Sequence, residues 1–357
     1  MKTRRWKELL DIYSDYLICQ NKYSTSTGLS DILDGDLSHD QISRFLNNNE
    51  FNSKDLWSYI KPTLRKHEES SGGVLILDDT IEEKPYTDIN DIICWHYYHG
   101  KGDHVKGINL LSCLARYGDT TFPIGYEIVN KDIKYCDVET KKEKQKASIT
   151  KNEHFRNIIA QAHKNKVMFE YVLADNWFGA KDNLNYIHND LSKSFIIGIK
   201  SNRTVALSQK NKLSGQFEQV KSLDLKDGQS IKVWLRNVMF PVTLIKKFFT
   251  NEDGTTGHLY LVSNDLNHNA DYLYQIYQKR WQIEVYHKSI KQNSSLAKSP
   301  TKVVKSQANH IFASIIGFCK LEMLQIKQAC NHFAIKYKLI ISANQAAMKK
   351  FKELQIA

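Results

Sequence analysis

The stretch Val74-Leu75-Ile76-Leu77-Asp78-Asp79-Thr80 decides how this chain reads. Four consecutive apolar residues describe a short, buried strand. The strand ends on two acids, which sets a carboxylate at a sheet edge, where α/β folds bind ligands. Working outward, residues 105–116 and 122–129 read as two more strands, joined through Tyr117-Gly118-Asp119. Residues 152–165 are helix-periodic, and 168–174 form a strand that stops at Asp175. Residues 180–188 read as a helix and 195–199 as a buried strand.

Short links between the first three strands predict an antiparallel meander. Helices between the later ones predict parallel pairing. The expected fold is α/β: an RNase H-like mixed sheet flanked by helices. Residues 74–200 would be the first part of that core. Residues 201–265 alternate and turn at Asp227-Gly228 and Asp253-Gly254, which predicts a β-rich insertion. Residues 266–300 complete the core with a long helix over 270–291. Residues 301–357 form a helical C-terminal region.

Residues 1–70 read as a helical N-terminal region closed by the linker Glu68-Glu69-Ser70-Ser71-Gly72-Gly73. Within it, a helix over 28–33, a turn at Asp34-Gly35-Asp36 and a helix over 38–46 suggest a helix-turn-helix. Ser38 and Gln41 fit a capping box. Ser38, His39, Gln41, Ser43 and Arg44 would be its exposed, DNA-facing candidates. An ordinary helical hairpin fits the same pattern.

Composition narrows the partner. The 357 residues carry 50 Lys and Arg against 39 Asp and Glu, a net charge of +11. Such a balance suits a polyanion, because each cation set against a phosphate releases condensed counterions. The six cysteines include no C-x-x-C pair, as expected of reduced thiols in a cytoplasmic protein. No run approaches the roughly 18 apolar residues of a membrane span, and no signal peptide is expected.

The chemistry concentrates on one helix. Tyr277, Arg280, Glu284 and Lys291 stand at offsets that, at about 100° per residue, share a stripe about 60° wide. Tyr272, Ile276, Ile283 and Tyr286 would pack the remaining face. Phosphodiester cleavage by two hard divalent cations needs Asp and Glu oxygens as ligands. Glu284 would join Asp175 and one of the Asp78–Asp79 pair, whose side chains point to opposite faces of a strand. Arg280 and Lys291 would bind backbone phosphates, and Tyr277 would stack on a base or meet a phosphate. An Asp after a strand also caps the next turn, and a solvated helix with internal ion pairs is the alternative reading of the stripe, weakened by the two strand-end acids.

The set Tyr277-x2-Arg280-x3-Glu284-x6-Lys291 resembles the Y-R-E-K signature of the insertion-sequence-four family of bacterial DDE transposases. Leu77-Asp78-Asp79-Thr80 and Ala174-Asp175-Asn176-Trp177-Phe178 resemble that family's first and second acid motifs. The resemblance spans roughly residues 74–291. It implies a triad of Asp79, Asp175 and Glu284 holding two Mg2+ ions, with Mn2+ able to substitute. Asp79 is preferred over Asp78 because the family's acid is usually followed directly by Thr. The implied activity is cleavage of transposon ends and their joining to target DNA, with the N-terminal helices binding the terminal repeats of double-stranded DNA and a homodimer forming on it. Some relatives hold a flipped base with a tryptophan of the insertion; Trp234 is this insertion's own. The rivals are a nuclease of the same fold that never joins ends, and an inactive DNA-binding relative.

Other motifs carry less. His96, His99 and His104 suggest zinc or, with Lys101 and Lys106, a DNA-contacting loop; H-E-x-x-H and paired Cys ligands are missing. Lys101-Gly102-Asp103 lacks the length of a phosphate-binding nucleotide loop. Lys298, Lys302 and Lys305 would either track phosphates or form a solvated face.

Overall fold

The structure, a computed structural model, describes residues 2–68, 72–98, 100–250 and 253–356. Four helices come first: α1 (Lys2–Cys19), α2 (Ser26–Ile32), α3 (His39–Asn48) and α4 (Ser53–His67). The Asp34-Gly35-Asp36 turn needs Gly35 at φ 83°, where a Cβ would be strained. Ser38 caps α3 as the sequence predicts, accepting from the Gln41 amide while the Gln41 side chain reaches back to Ser38. Of the expected linker, Glu69, Ser70 and Ser71 lie outside the described residues. Glu68 is firmly engaged, pairing with Arg65 and accepting from the Met168 amide at 3.1 Å.

The core strands are β1 (Val74–Glu83), β2 (Cys94–Tyr98), β3 (Asp103–Tyr117) and β4 (Thr120–Val129). A small hairpin of β5 (Ile133–Cys136) and β6 (Glu143–Lys146) precedes α5 (Lys151–Lys164) and β7 (Tyr171–Ala174). Helix α6 (Lys181–Asn185) runs into a single wider π-turn, and β8 (Ser194–Gly198) follows. Strand β3 runs antiparallel to both β1 and β4, while β7 and then β8 lie parallel to β1 and to each other. The resulting order β4-β3-β1-β7-β8 is the RNase H-like sheet expected.

The insertion holds β9 (Thr204–Ala206), α7 (Gln209–Leu213), β10 (Glu218–Gln219), β11 (Ser230–Leu235), β12 (Val242–Thr250) and β13 (Thr256–Ser263). It does not stand apart: β13 pairs antiparallel with β8, so the sheet continues to eleven strands. Helices α8 (Ala270–Gln278), α9 (Gln282–Gln292), α10 (Val304–Gln328) and α11 (His332–Ile356) end the chain. One apolar core runs from Leu10 through the sheet to Cys319. None of the helices among the described residues is long and apolar enough to cross a membrane.

Several elements differ from expectation. β1 runs six residues past Leu77, because its polar half is held by the ladder to β3 rather than by burial. β2, pairing with β3, is missed because only alternate residues are buried. Residues 141–151, whose run of charges reads as a solvated loop, contain an exposed hairpin strand, whose pairing needs no apolar face.

Buried His310 fastens α1 to α10. Its Nδ1 faces the Tyr13 hydroxyl at 2.9 Å and its Nε2 the Ser295 carbonyl at 2.9 Å. Burial holds its pKa down to about 4, against 6.5 for a free imidazole. A depressed pKa favours the fold above 6.5, and this stability is lost as pH falls through about 4. His310 should therefore lower the thermal midpoint between pH 6.5 and 4, against the opposite contribution of raised carboxyls such as Asp78. His310→Gln should make that fall shallower in pH-dependent melts, with the similarly buried His96 and His287 supplying the remainder.

Candidate active site

The geometry starts from unequal ladders on β1. Parallel pairing with β7 stops at Leu77–Ala174, whereas antiparallel pairing with β3 continues to Glu83. The next positions along the parallel pair are Asp78 and Asp175, so both acids emerge where the ladder opens. Asp175 also caps the turn after β7, its Oδ1 accepting from the Trp177 amide at 3.0 Å. Gly198 lets that turn lie flat on β8, since a Cβ there would sit 2.9 Å from the Asn176 amide nitrogen.

The signature helix is not continuous. Gln278, Lys279, Trp281 and Gln282 have ψ between −20° and −26°, the values of a tight 3-10 turn, between α8 and α9. Three residues at about 120° instead of 100° rotate α9 by about 60° relative to an unbroken helix. The packing face also changes: Leu273, Tyr277, Ile283, Tyr286, His287 and Ile290 are buried, while Tyr272 is exposed and stacks on His268.

Arg280 stands at the centre of the acids. Its Nη1 lies 3.0 Å from Asp78 Oδ2 and 3.6 Å from Glu284 Oε1. Asp79, on the other side of the strand, takes a different cation: Lys151 Nζ is 2.9 Å from both of its oxygens, and Asn109 donates to it as well. The carboxylates still act on one another. Burial, then repulsion from Asp175, with Asp79 and Glu284 adding to it, pushes the Asp78 carboxyl up to about 8 against the pull of Arg280. Burial also raises Asp175. Among the described residues, no group of three or more His, Cys, Asp or Glu side chains is drawn together as a metal site. The donor chemistry nevertheless fits a hard divalent cation: the acids offer oxygen alone, and added positive charge would relieve their repulsion.

The other candidates have definite places. Tyr277 is buried, with the Arg280 guanidinium 5.9 Å over its ring, so its face is not open to a base. Lys291 donates to the Ile81 carbonyl at 2.8 Å and clamps α9 to β1. The Gln41 amide is occupied in its cap, whereas Arg44 is exposed. Lys298 donates to the Asn21 carbonyl at 3.2 Å; Lys302 is exposed, and Lys305 pairs with Glu50. His96 is buried beside Cys94 Sγ at 3.1 Å, His104 is exposed, and His99 lies outside the described residues. Trp234 is half-buried beneath Lys232.

Sequence reasoning gave Lys151 no role. Thr150 and Glu153 signal the helix start by a capping box, yet nothing local shows that its first residue meets Asp79. Trp177, inside the second acid motif, is flanked by Lys151 at 5.0 Å and Lys200 at 5.8 Å.

The family profile of the DDE superfamily endonucleases matches residues 1–215, and that of the transposase DDE domain matches residues 139–316. The chain belongs to the DDE superfamily endonucleases. No curated protein matches it. Among solved structures, the Drosophila P element transposase strand transfer complex is similar at 9% identity, over 96% of this chain and 86% of that one. Its TM-score is 0.27, too low for the likeness to bear on the fold, which rests on strand topology instead.

The tight seat of the second acid is open to test. Gly198→Ala should cost about 1–3 kcal/mol through overpacking against Asn176, read by urea denaturation. A stability equal to wild type would show that the turn carrying Asp175 is not pressed on β8.

Proposed function

We propose that this chain is a cut-and-join DNA transposase of the insertion-sequence-four family. It would cleave the terminal repeats of a mobile element in double-stranded DNA and join the freed ends to target DNA. The supporting observation is Arg280 held between Asp78 at 3.0 Å and Glu284 at 3.6 Å where the β1–β7 ladder opens, with Asp175 near enough to raise the Asp78 carboxyl. In this reading Asp78, rather than Asp79, is the first metal-binding acid. It shares the Arg280 contact with Glu284, whereas Asp79 is taken by Lys151 and Asn109. Asp78, Asp175 and Glu284 would hold Mg2+ or Mn2+, which supplies an activated water and charge neutralisation at the scissile phosphate.

The chain's own residues do the rest. Arg280 keeps the acids from repelling one another apart and presents a guanidinium toward phosphate. Tyr277 supports Arg280 from below, and Lys291 fixes the height of α9 on β1. Lys151 and Lys200, beside the half-exposed Trp177, form a cationic margin for the DNA backbone. Arg44 and Lys302 are the exposed cations through which the N-terminal helices and the segment before α10 would reach duplex DNA.

Asp78→Asn, Asp175→Asn and Glu284→Gln should each lower Mg2+-dependent nicking of terminal-repeat DNA about a thousandfold. Asp79→Asn should lower it about tenfold, as for a supporting residue. The reverse order for the two neighbours would restore Asp79 as the metal-binding acid. Strand-transfer products on the same substrate separate a transposase from a nuclease that only cuts.

Affinity for terminal DNA should fall steeply with salt, with a log–log slope of about −0.9 per phosphate contact. Arg44→Ala or Lys302→Ala should each reduce that slope by about one unit. An unchanged slope in titrations would remove these two residues from the interface.

A further inference from the structure

The first turn of α11 reaches back to the signature helix. Asn331 caps it, accepting from the Ala334 amide at 2.9 Å, and so fixes the residues between them. His332 turns inward. Its Nδ1 lies 2.9 Å from the Ser289 hydroxyl of α9, and its Nε2 lies 3.0 Å from the Glu322 carboxylate of α10. The second contact is off the line of a hydrogen bond, so it is one of charge. The other Glu322 oxygen accepts from the Thr121 amide of β4 at 2.8 Å. Phe333 joins in, its ring 5.2 Å from the ammonium of Lys288, the neighbour of Ser289. Ser289, His332 and Glu322 are all buried.

A serine, a histidine and a glutamate in this order have the form of a hydrolytic triad. Ser289 has no exposed surface, however, and its oxygen also accepts from Asn293 Nδ2 at 3.0 Å. No substrate carbonyl could reach it. With Asn293 donating, the hydroxyl proton goes to His332 Nδ1, which leaves the ring proton on Nε2, facing Glu322.

What this contact can do follows from where Ser289 sits. Glu284 and Lys291, seven residues apart, project from one side of α9, whereas Ser289 is about 140° round from Glu284. Lys291 is tied to the Ile81 carbonyl on β1 and Ser289 to His332, so the helix is pinned on opposite sides. α9 needs such pins. It begins at the Lys279–Trp281 turn without a side-chain cap, and its buried Ile283 and Ile290 supply non-directional packing that resists separation more than rotation.

We propose that His332 is a positioning residue for the metal site. Through Ser289 it sets the rotation of α9, and so the reach of the Glu284 carboxylate toward the cation it would share with Asp78 and Asp175. Glu322, held by β4, orients the ring in turn. The inference rests on the role proposed above for Glu284.

Three variants separate alignment from stability. His332→Gln keeps an amide beside Glu322 and removes the atom that meets Ser289. Ser289→Ala removes the other partner. Ile335→Ala, in the same turn, removes apolar packing with Ile18 and Leu321 instead. His332→Gln and Ser289→Ala should each slow single-turnover nicking at saturating terminal-repeat DNA about tenfold, with DNA affinity unchanged. Each should also weaken Mn2+ binding by the DNA-free chain about tenfold in calorimetry. The double variant should be no worse than either single one. Ile335→Ala should lower the melting temperature at least as far, with a smaller loss of nicking. Nicking and Mn2+ binding that merely track the melting temperature across all three variants would make the contact structural and overturn the inference. Wild-type values in His332→Gln, or additive losses in the double variant, would do the same. A Glu284→Gln chain that nicks and binds Mn2+ like wild type would instead defeat the assignment of Glu284, and the inference with it.

Discussion

The structure turns on a mismatch in length between two ladders that share one strand. β1 is gripped by β3 for its whole run but by β7 only as far as Leu77. Where the parallel neighbour departs, backbone pairing on one side holds the strand straight while the other side opens. Carboxylates can gather there without breaking the sheet, because the strand that bears them needs no burial to stay in place. The helical layers serve this opening: α5 delivers Lys151 to one face of β1, while the Lys279–Trp281 turn and α9 deliver Arg280 and Glu284 toward the other.

Electrostatics then shape the opening. Asp78, Asp79, Asp175 and Glu284 are close enough to disturb one another, and burial removes the water that would screen them. The fold answers with one cation for each strand aspartate. The same two cations are of a kind suited to phosphate.

Much of this was legible in the sequence. The strand-helix order gave the RNase H-like core because each buried strand is a continuous apolar run with clear stops. The capping signal at Ser38 located one helix start to the residue. What escaped depends on partners distant in sequence. The polar half of β1 and the edge strand β2 are strands only because β3 is there to pair with them. Lys291 looks like a free cation until its partner, the Ile81 carbonyl, is seen. Asp78 and Asp79 are indistinguishable as letters; the placement of Arg280 and Lys151 is what separates them.

The tight turn at Lys279–Trp281 has a mechanical meaning. Tyr277 belongs to one helix and Glu284 to another, and the turn between them works as a fixed gear that sets the angle of the second shaft. A substitution that relaxed this turn into ordinary α-helix would swing Glu284 by about 60° while altering no acid and no cation. The spacing of the four signature residues thus encodes a rotation as well as a distance, and a chain could keep every letter of the signature yet lose its alignment.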